Sequence, residues 1–478
     1  MHVLFIASEG SPFVKTGGLA DVIGSLPAAL ARKGVKAAVM LPDYGDIAPE
    51  FKRQMQPVKD MVVSVGRRRR EATLKKLSRN GRTFYFIHND SYFGRKGLYG
   101  FPDEAERFAF YCRAVLEGLP HLEQAPRILH CHDWQTGMVN LYLQKRREIP
   151  FYRDLKTVFT IHNLRYQGIF PREVLENVLG LGPEEFTPEG LEFYGQVNYL
   201  KGGLNYADLL TTVSRTYAKE ILTPAFGENL DGVLRSRREV LFGVVNGIDY
   251  HDYNPLTDPA LPVNYRSSLE KKRRNKEALQ ELLGLPVDGD VPLLAVISRL
   301  VREKVDILIQ ALPGLLSHHL QLVVLGTGDE GCSGYFRHHA KEHRQKMAVR
   351  LAFDEKLARK IYAASDIFLM PSLFEPCGLS QLIAMRYGSI PVVRQTGGLK
   401  DTVTPYNPQT GEGNGFSFPG RDSGAFLKAV EDAVSLYRDK KAWPRLVKNA
   451  VGSDFSWSKS AGEYISLYRG LPAKKRGK

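Results

Sequence analysis

A lysine followed by paired glycines, at the junction of an apolar run and an amphipathic one, is suited to holding a phosphate. The segment Lys15-Thr16-Gly17-Gly18-Leu19-Ala20-Asp21-Val22 follows the apolar Val3-Leu4-Phe5-Ile6-Ala7 and precedes an amphipathic stretch ending at Arg32. That order predicts strand, loop and helix. Adjacent glycines let a backbone approach a ligand because no Cβ intervenes. A helix N-terminus adds unpaired N–H groups and a partial positive charge, and Lys15 adds a full one. The plainer alternative is a tight β-to-α turn whose glycines serve packing alone.

A second loop of the same kind weighs against that alternative. Gln395-Thr396-Gly397-Gly398-Leu399-Lys400-Asp401 again follows an apolar strand, Ile390-Pro391-Val392-Val393, and opens into a helix-like run. Just upstream, the strand Ile367-Phe368-Leu369-Met370 ends in a loop that carries one carboxylate, Glu375, before a helix near Leu379. Two strand–glycine–helix loops, one in each half, point to two nucleotide-binding-type halves.

The elements that must position these loops alternate along the chain. Strands are expected at 3–7, 36–41, 83–87, 127–131, 156–161, 209–213 and 240–245, and in the second half at 292–297, 320–325, 347–351, 366–370 and 390–393. Helical patterns separate them, as in parallel α/β architecture. Asn246 to Tyr265 holds three prolines and no helical periodicity. A loop of that length is uncommon inside a compact domain, so an interdomain linker is expected there, at 249–265. It divides the chain into domains 1–248 and 266–456, the second opening on a helix from Lys271 to Leu283.

Composition fits this organisation. The 478 residues suffice for two cores, and 43% hydrophobic with 25% charged residues is ordinary for a globular protein. No uninterrupted apolar run approaches the length of a membrane span, and Met1-His2 leads straight into a strand without a leader pattern. Cys112, Cys131, Cys332 and Cys377 show neither metal spacing nor a disulfide framework, so a reducing cytoplasm is expected. The net charge is +14, with Arg67–Arg70 reinforced by Lys75, Lys76 and Arg79, and a basic C-terminus at Lys474, Lys475, Arg476 and Lys478. Such potential steers anionic ligands or marks a nucleic-acid surface. No nucleic-acid module accompanies it, and the arginine run is expected as a solvated loop at a strand end. A frayed tail is expected after Leu471.

The ordered motifs carry a resemblance over nearly the whole chain. They are KTGGLADV at 15–22, HDWQTG at 132–137, TIHN at 160–163, YLKGGLNYAD at 199–208 and VVNGID at 244–249. ISRL at 297–300, LGTGD at 325–329, FEPCGLSQL at 374–382 and RQTGGLKDTV at 394–403 follow. The chain resembles the bacterial-type glycogen and starch synthases, retaining nucleotide-glucose glucosyltransferases. The resemblance implies an α/β fold of the GT-B type, two Rossmann-like domains facing a deep cleft. A last helix, about 457–469, would cross back onto the first domain. It implies transfer from ADP-glucose to an α-1,4-glucan such as glycogen, with no metal, no other cofactor, no membrane and no nucleic acid.

Residue by residue, the resemblance assigns Arg299 and Lys304 to the donor diphosphate, where charge grows as the glycosidic bond breaks and must meet a preorganised cation. Lys15 and the backbone N–H groups of Gly18, Gly397 and Gly398, with Thr396, would complete that anion site. Glu375 would contact the donor glucose, and Cys377, Gly378 and Leu379 would line its pocket. His162 would lie near the sugar hydroxyls or the reacting centre. Asp21 and Asn246 would contact the sugar, Lys276 would sit near the active site, and Phe353 would stack on the base. Asp133 would meet the acceptor, and Lys201 is a further candidate. Gln135, Val305 and Arg215 depart from the family's usual histidine, glycine and proline, and Ile383 stands where many related transferases repeat a glutamate. These departures leave open a glucan-binding protein on a transferase fold, against which the retention of Lys15, Arg299, Lys304 and Glu375 argues. Retention of configuration admits a front-face route or a double displacement, and no carboxylate for the latter stands out.

Overall fold

The structure, a computed structural model, describes residues 1–471, and the basic tail Lys474–Lys478 lies outside them. The chain forms two compact units. The first takes Met1–Val244 together with the segment from Trp457, and the second takes Val245–Ser456.

The first unit is built on a nine-stranded sheet of order β12-β11-β7-β6-β1-β2-β5-β4-β3. Its strands are β1 His2–Ile6, β2 Lys36–Pro42, β3 Gln56–Val65, β4 Arg68–Arg79, β5 Arg82–His88, β6 Ile128–His132, β7 Lys156–Ile161, β11 Leu209–Thr212 and β12 Leu241–Gly243. A separate small sheet joins β8 Ile169–Phe170, β9 Glu192–Phe193 and β10 Gln196–Asn198. Seven strands run in the direction of β1, and only β4 runs against it, pairing antiparallel with both β3 and β5. β1 is buried from Val3 to Ile6, the continuous apolar run of a strand covered on both faces. The C-terminal helix Trp457–Gly470 belongs to this unit, where Tyr468 hydrogen-bonds His130 at 2.7 Å and Glu463 pairs with Arg215 at 3.2 Å. Arg215, in place of the family's proline, thus has a salt-bridge role.

One stretch differs from expectation. Arg68, Arg69 and Arg70 open β4 rather than a loop, and β3 turns into β4 through Gly66 at φ +56°. Met61, Val63, Val65, Ala72, Leu74 and Leu77 are buried, and Arg68 and Arg70 pair in register with Val65 and Val63 at the rim of that face. Arg68 and Arg70 reach Glu106 at 2.7 and 3.3 Å, so part of the charge run is locally neutralised.

The second unit carries a wholly parallel six-stranded sheet of order β15-β14-β13-β16-β17-β18. These are β13 Leu293–Ile297, β14 Gln321–Leu325, β15 Met347–Arg350, β16 Ile367–Met370, β17 Ile390–Arg394 and β18 Phe416–Phe418. The expected strands differ from these, and from those of the first unit, by one or two residues at their ends. The segment 249–265 is part of this unit rather than a free connection. Leu261 and Tyr265 are buried, Tyr265 Oη donates to Tyr387 O at 2.7 Å, and buried Asp258 accepts from Arg359 at 3.2 Å. Three prolines prevent a helix but do not prevent packing.

Candidate functional site

In the first unit, the glycine loop is folded back onto the end of β1 by Glu9. Its Oε2 accepts from Thr16 N at 2.5 Å and from Thr16 Oγ1 at 2.9 Å, and the Gly17 N–H also points at this carboxylate. Burial raises the Glu9 carboxyl above the ordinary range. The helix Gly18–Arg32 then starts without a side-chain cap, from an extended Gly17. Lys15 Nζ donates to Asp21 Oδ1 at 2.8 Å, and each side chain is roughly 30% exposed (30% and 28%). The two residues expected at phosphate and sugar therefore hold one another. Such a partly exposed pair contributes little to stability.

Parallel pairing of β6 with β7 assembles the histidines. His132 is in register with Thr160, and His162 follows β7. The rings of His130 and His132 stack with centroids 4.3 Å apart, and His132 Nδ1 meets His162 Nε2 at 2.9 Å. Burial depresses all three, His162 to about 3, so each imidazole is neutral near pH 7. His162 can therefore exchange hydrogen bonds with a sugar but supplies no charge.

Asp133 is turned away from the role expected of it. It sits at φ +57°, uncommon for a residue with a Cβ, and its Oδ1 accepts from His162 N at 2.8 Å. The Asn163 N–H also points at it, and burial pushes its carboxyl up to about 7. Its carboxylate orients the His162 loop rather than presenting itself to an acceptor. Gln135 is buried, with its backbone O accepting from Cys112 Sγ at 3.2 Å. Lys201 is spent on Pro188 O and Glu192 O, at 2.8 and 2.5 Å.

A pH experiment follows from the buried imidazole. The unfolded His162 protonates near 6.5 and the folded one near 3, so the unfolded chain gains the proton first and stability is lost as pH falls through that window. Glu9 and Asp133, both raised, act in the opposite sense. The comparison is therefore with His162→Asn. The stability advantage of the wild type over this variant is expected to shrink from pH 7 to pH 5 in chemical denaturation. A constant difference would show that the imidazole is not held neutral.

In the second unit, β13 leads through Ser298–Val301 into the helix Arg302–Ser317, and β16 leads into the loop carrying Glu375. Lys304 Nζ donates to Glu375 Oε2 and to Phe374 O, both at 2.8 Å, and Ser372 Oγ donates to the same carboxylate oxygen at 3.2 Å. Both charged side chains are largely buried, at 11% and 14% exposure. Arg299 is 55% exposed and reaches Glu303 at 3.3 Å. Gly326 and Gly328 seat the arginine loop, since a Cβ on either would stand 1.9 Å from Ser298 O or 2.2 Å from Leu300 O. Val305 is fully buried in the core, so its side chain anchors the helix start.

The second glycine pair acts on this loop. A Cβ at Gly397, whose φ is +43°, would lie 2.0 Å from Glu375 O, and one at Gly398 would lie 2.1 Å from Cys377 O. Gly398 N donates to Glu375 O at 3.2 Å and Pro376 O at 3.1 Å, which corrects its expected role as a phosphate donor. The helix that follows spans only Gly397–Thr402, with Thr396 buried at its start and making no side-chain cap. Arg394, missed from sequence, braces the other side by donating through Nε to Ser372 O at 2.8 Å and through a second nitrogen to Leu373 O.

Cys377 is buried, with the Asn246 N–H directed at its sulfur, and burial pushes the thiol up to about 12, which excludes a thiolate nucleophile at neutral pH. Gly378 stands at φ +74°, and Gln381 Nε2 donates to the carbonyls of Cys377 and Gly378 at 3.1 and 2.9 Å, fixing the turn before Leu379. Asn246 Oδ1 is buried and makes no hydrogen bond. Phe353, 79% exposed, lies in the loop after β15 with a face open for stacking. Ile383 is buried in the core.

Lys276 belongs to the core rather than to a ligand. Its Nζ donates to Asp366 Oδ2 and Val291 O, both at 2.7 Å, and to Tyr437 Oη at 2.9 Å. Asp366 in turn accepts from Leu293 N at 2.9 Å, so the pair ties the helix Leu269–Leu283 to β13 and β16. Lys276→Met leaves that carboxylate buried and unpaired, an expected loss of about 3–5 kcal/mol in unfolding free energy. The donor KM, measured well below the melting temperature, is expected to stay within about twofold because no ligand contact is lost. A large rise in KM would restore Lys276 to the binding site.

Comparison with known proteins gives a consistent result. The family model described as "Starch synthase catalytic domain" matches residues 2–236, and "Glycosyl transferases group 1" matches residues 284–450. The chain is 54% identical to a glycogen synthase of Desulforamulus reducens, over 98% of this chain and 99% of that one. It is 50% identical to a glycogen synthase of Geobacillus thermodenitrificans, over 98% of each. Among solved structures it is similar to the catalytic domain of starch synthase IV from Arabidopsis thaliana bound to ADP and acarbose. That likeness has a TM-score of 0.90 and 35% identity, over 98% of this chain and 99% of that one.

Proposed function

The chain belongs to the glycogen and starch synthase family of glycosyltransferases, and from that premise we propose that it transfers glucose from ADP-glucose to the non-reducing end of an α-1,4-glucan with retention of configuration. The observation that carries this reading is the buried Lys304–Glu375 pair, set at the carboxyl ends of β13 and β16 where α/β sheets bind ligands. A cation that is fixed and partly desolvated before the reaction begins costs no reorganisation when charge develops.

In this reading the second unit takes the donor. Lys304 and the more exposed Arg299 meet the diphosphate, Glu375 and Asn246 the glucose, and Phe353 the base. The first unit takes the acceptor glucan, and Lys15 and the neutral His162 are the groups it offers to phosphate and sugar hydroxyls. As the anomeric C–O bond breaks, its electron pair goes to the diphosphate oxygen. The acceptor hydroxyl attacks from the same face, and its proton passes to that departing oxygen. Glu375, already accepting from Lys304 and Ser372, acts by orientation rather than as a nucleophile. A glucosyl adduct trapped on a side chain would overturn the front-face route. Charge stabilisation by Lys304 and Arg299 supports a metal-independent reaction, and the family likeness supports a cytoplasmic setting.

The test is incubation of the protein with glycogen and radiolabelled ADP-glucose or UDP-glucose in parallel, each with and without chelator. Label entering polymer from ADP-glucose is the expected result. Label from UDP-glucose alone would correct the donor. Transfer that fails only in chelator would overturn metal independence, and no transfer under any condition would favour a glucan-binding protein.

A further inference from the structure

The helix Glu330–Glu342 ends in the sequence His338-His339-Ala340-Lys341-Glu342-His343, and three of those side chains converge. His339, Glu342 and His343 each offer one donor atom, all within 4.8 Å of one another. Their i, i+3, i+4 spacing puts them on one face of the last turn. The rings of His339 and His343 lie nearly parallel, 16° between planes, with centroids 6.2 Å apart. Glu342 stands beside them with Oε2 3.6 Å from His339 Nδ1, too far for a hydrogen bond.

An independent observation points to a missing partner. His339 Nδ1 is buried and makes no hydrogen bond, although its ring is held in place against Tyr335 with centroids 4.5 Å apart. Buried ring nitrogens are normally satisfied, and a metal ion would satisfy this one. The surrounding charge does not oppose a cation. Arg337, Lys341 and Arg344 lie on the far side of the helix by its 3.6-residue period, lining a groove with β15, and Lys346 is engaged by Leu316 O and His318 O at 2.8 and 3.0 Å. The last-turn carbonyls and the negative end of the helix dipole favour positive charge here.

We infer that His339, Glu342 and His343 bind a first-row divalent transition-metal ion of the zinc, nickel or copper class, through two imidazole nitrogens and one carboxylate oxygen, with water in the remaining positions. Two imidazoles select such an ion over magnesium or calcium, which prefer oxygen ligands. Bonds of about 2.0–2.2 Å require the donors to close to roughly 3–3.5 Å from one another, which the exposed Glu342 and His343 can do by side-chain rotation. The helix follows β14 and runs back along the sheet, so its C-terminal end lies at the amino ends of the strands, away from the Lys304 and Glu375 loops. The ion is therefore a clasp on the last helical turn and takes no part in glucosyl transfer.

The test uses untagged full-length protein stripped with chelator and dialysed. Titration with cobalt, read by its visible absorption, and with zinc, read by calorimetry, is expected to saturate at one ion per chain. His343→Ala and Glu342→Gln should each weaken binding at least tenfold, whereas His338→Ala should change it less than threefold. Zinc should raise the melting temperature of the wild type but not of His343→Ala, whose circular dichroism should match the wild type. Absence of saturable binding, or binding equally strong in His343→Ala and Glu342→Gln, would overturn the site.

Discussion

Lys304→Ala is expected to lower kcat by on the order of a hundred- to thousandfold, the usual cost of removing one preorganised charge-stabilising donor. The donor KM should change far less, because the interaction is strongest when the diphosphate departs. The substitution also removes a donor from Glu375 Oε2 and from Phe374 O, each 2.8 Å from Nζ. A modest fall in melting temperature is therefore expected, and kinetics must be measured below the onset of unfolding. Lys304→Arg keeps the charge but not the compact ammonium, and should recover only part of the rate. Unchanged turnover in Lys304→Ala would remove this lysine from the chemistry.

Gly397→Ala is expected to reduce kcat/KM by about a hundredfold, although the glycine itself need touch no substrate. The added methyl would stand 2.0 Å from Glu375 O at a backbone φ of +43°, so the carboxylate loop must move to admit it. Displacing a positioned group by about 1 Å can cost that much. Circular dichroism should report an intact fold, since Gly397 lies in a loop-to-helix turn. Gly420→Ala is the control for positive-φ strain alone, because Gly420 also has positive φ, +71°, but a Cβ there meets nothing within 4 Å. Equal losses in the two variants would mean that backbone strain, rather than the Glu375 loop, explains the effect.

These two predictions rest on features of unequal visibility in the sequence. The glycine pairs announced themselves, because an apolar strand, two glycines and a helical pattern follow one another at both Lys15 and Gly397. Their functions differ in a way that sequence does not carry. The first pair lies beside a lysine, while the second is occupied by the carbonyls of the Glu375 loop, a contact fixed only by tertiary packing. Glu9 and Arg394 went unnoticed because they act through backbone atoms of neighbouring loops and belong to no motif. A carboxylate three residues past the end of β1 was the available signal for Glu9.

Lys276 shows the opposite error. Its place beside Asn275 matched a family pattern, yet its partner Asp366 lies 90 residues further along the chain and only folding brings them to 2.7 Å. The β3–β4 hairpin was hidden for a compositional reason. Inward Met61, Val63 and Val65 alternate as a strand should, but β4 opens with three arginines that read as solvated charge. The histidines at 339–343 carry helical spacing in the sequence, but their convergence with Glu342 is fixed only by the folded helix. The strands expected from continuous apolar runs end within one or two residues of the observed ones, whereas β3, β4 and β18 carry no such run and were not expected.

The most direct measurement is the fate of the donor's anomeric carbon. Nuclear magnetic resonance of a reaction containing ADP-glucose labelled with carbon-13 at C1 and a short α-1,4-glucan acceptor would follow that carbon from donor to product. The label should appear in a new α-1,4-linked residue at the non-reducing end, with ADP released in equal amount. Label in a β linkage, in free glucose alone, or remaining in the donor would contradict retaining transfer to a glucan by this chain.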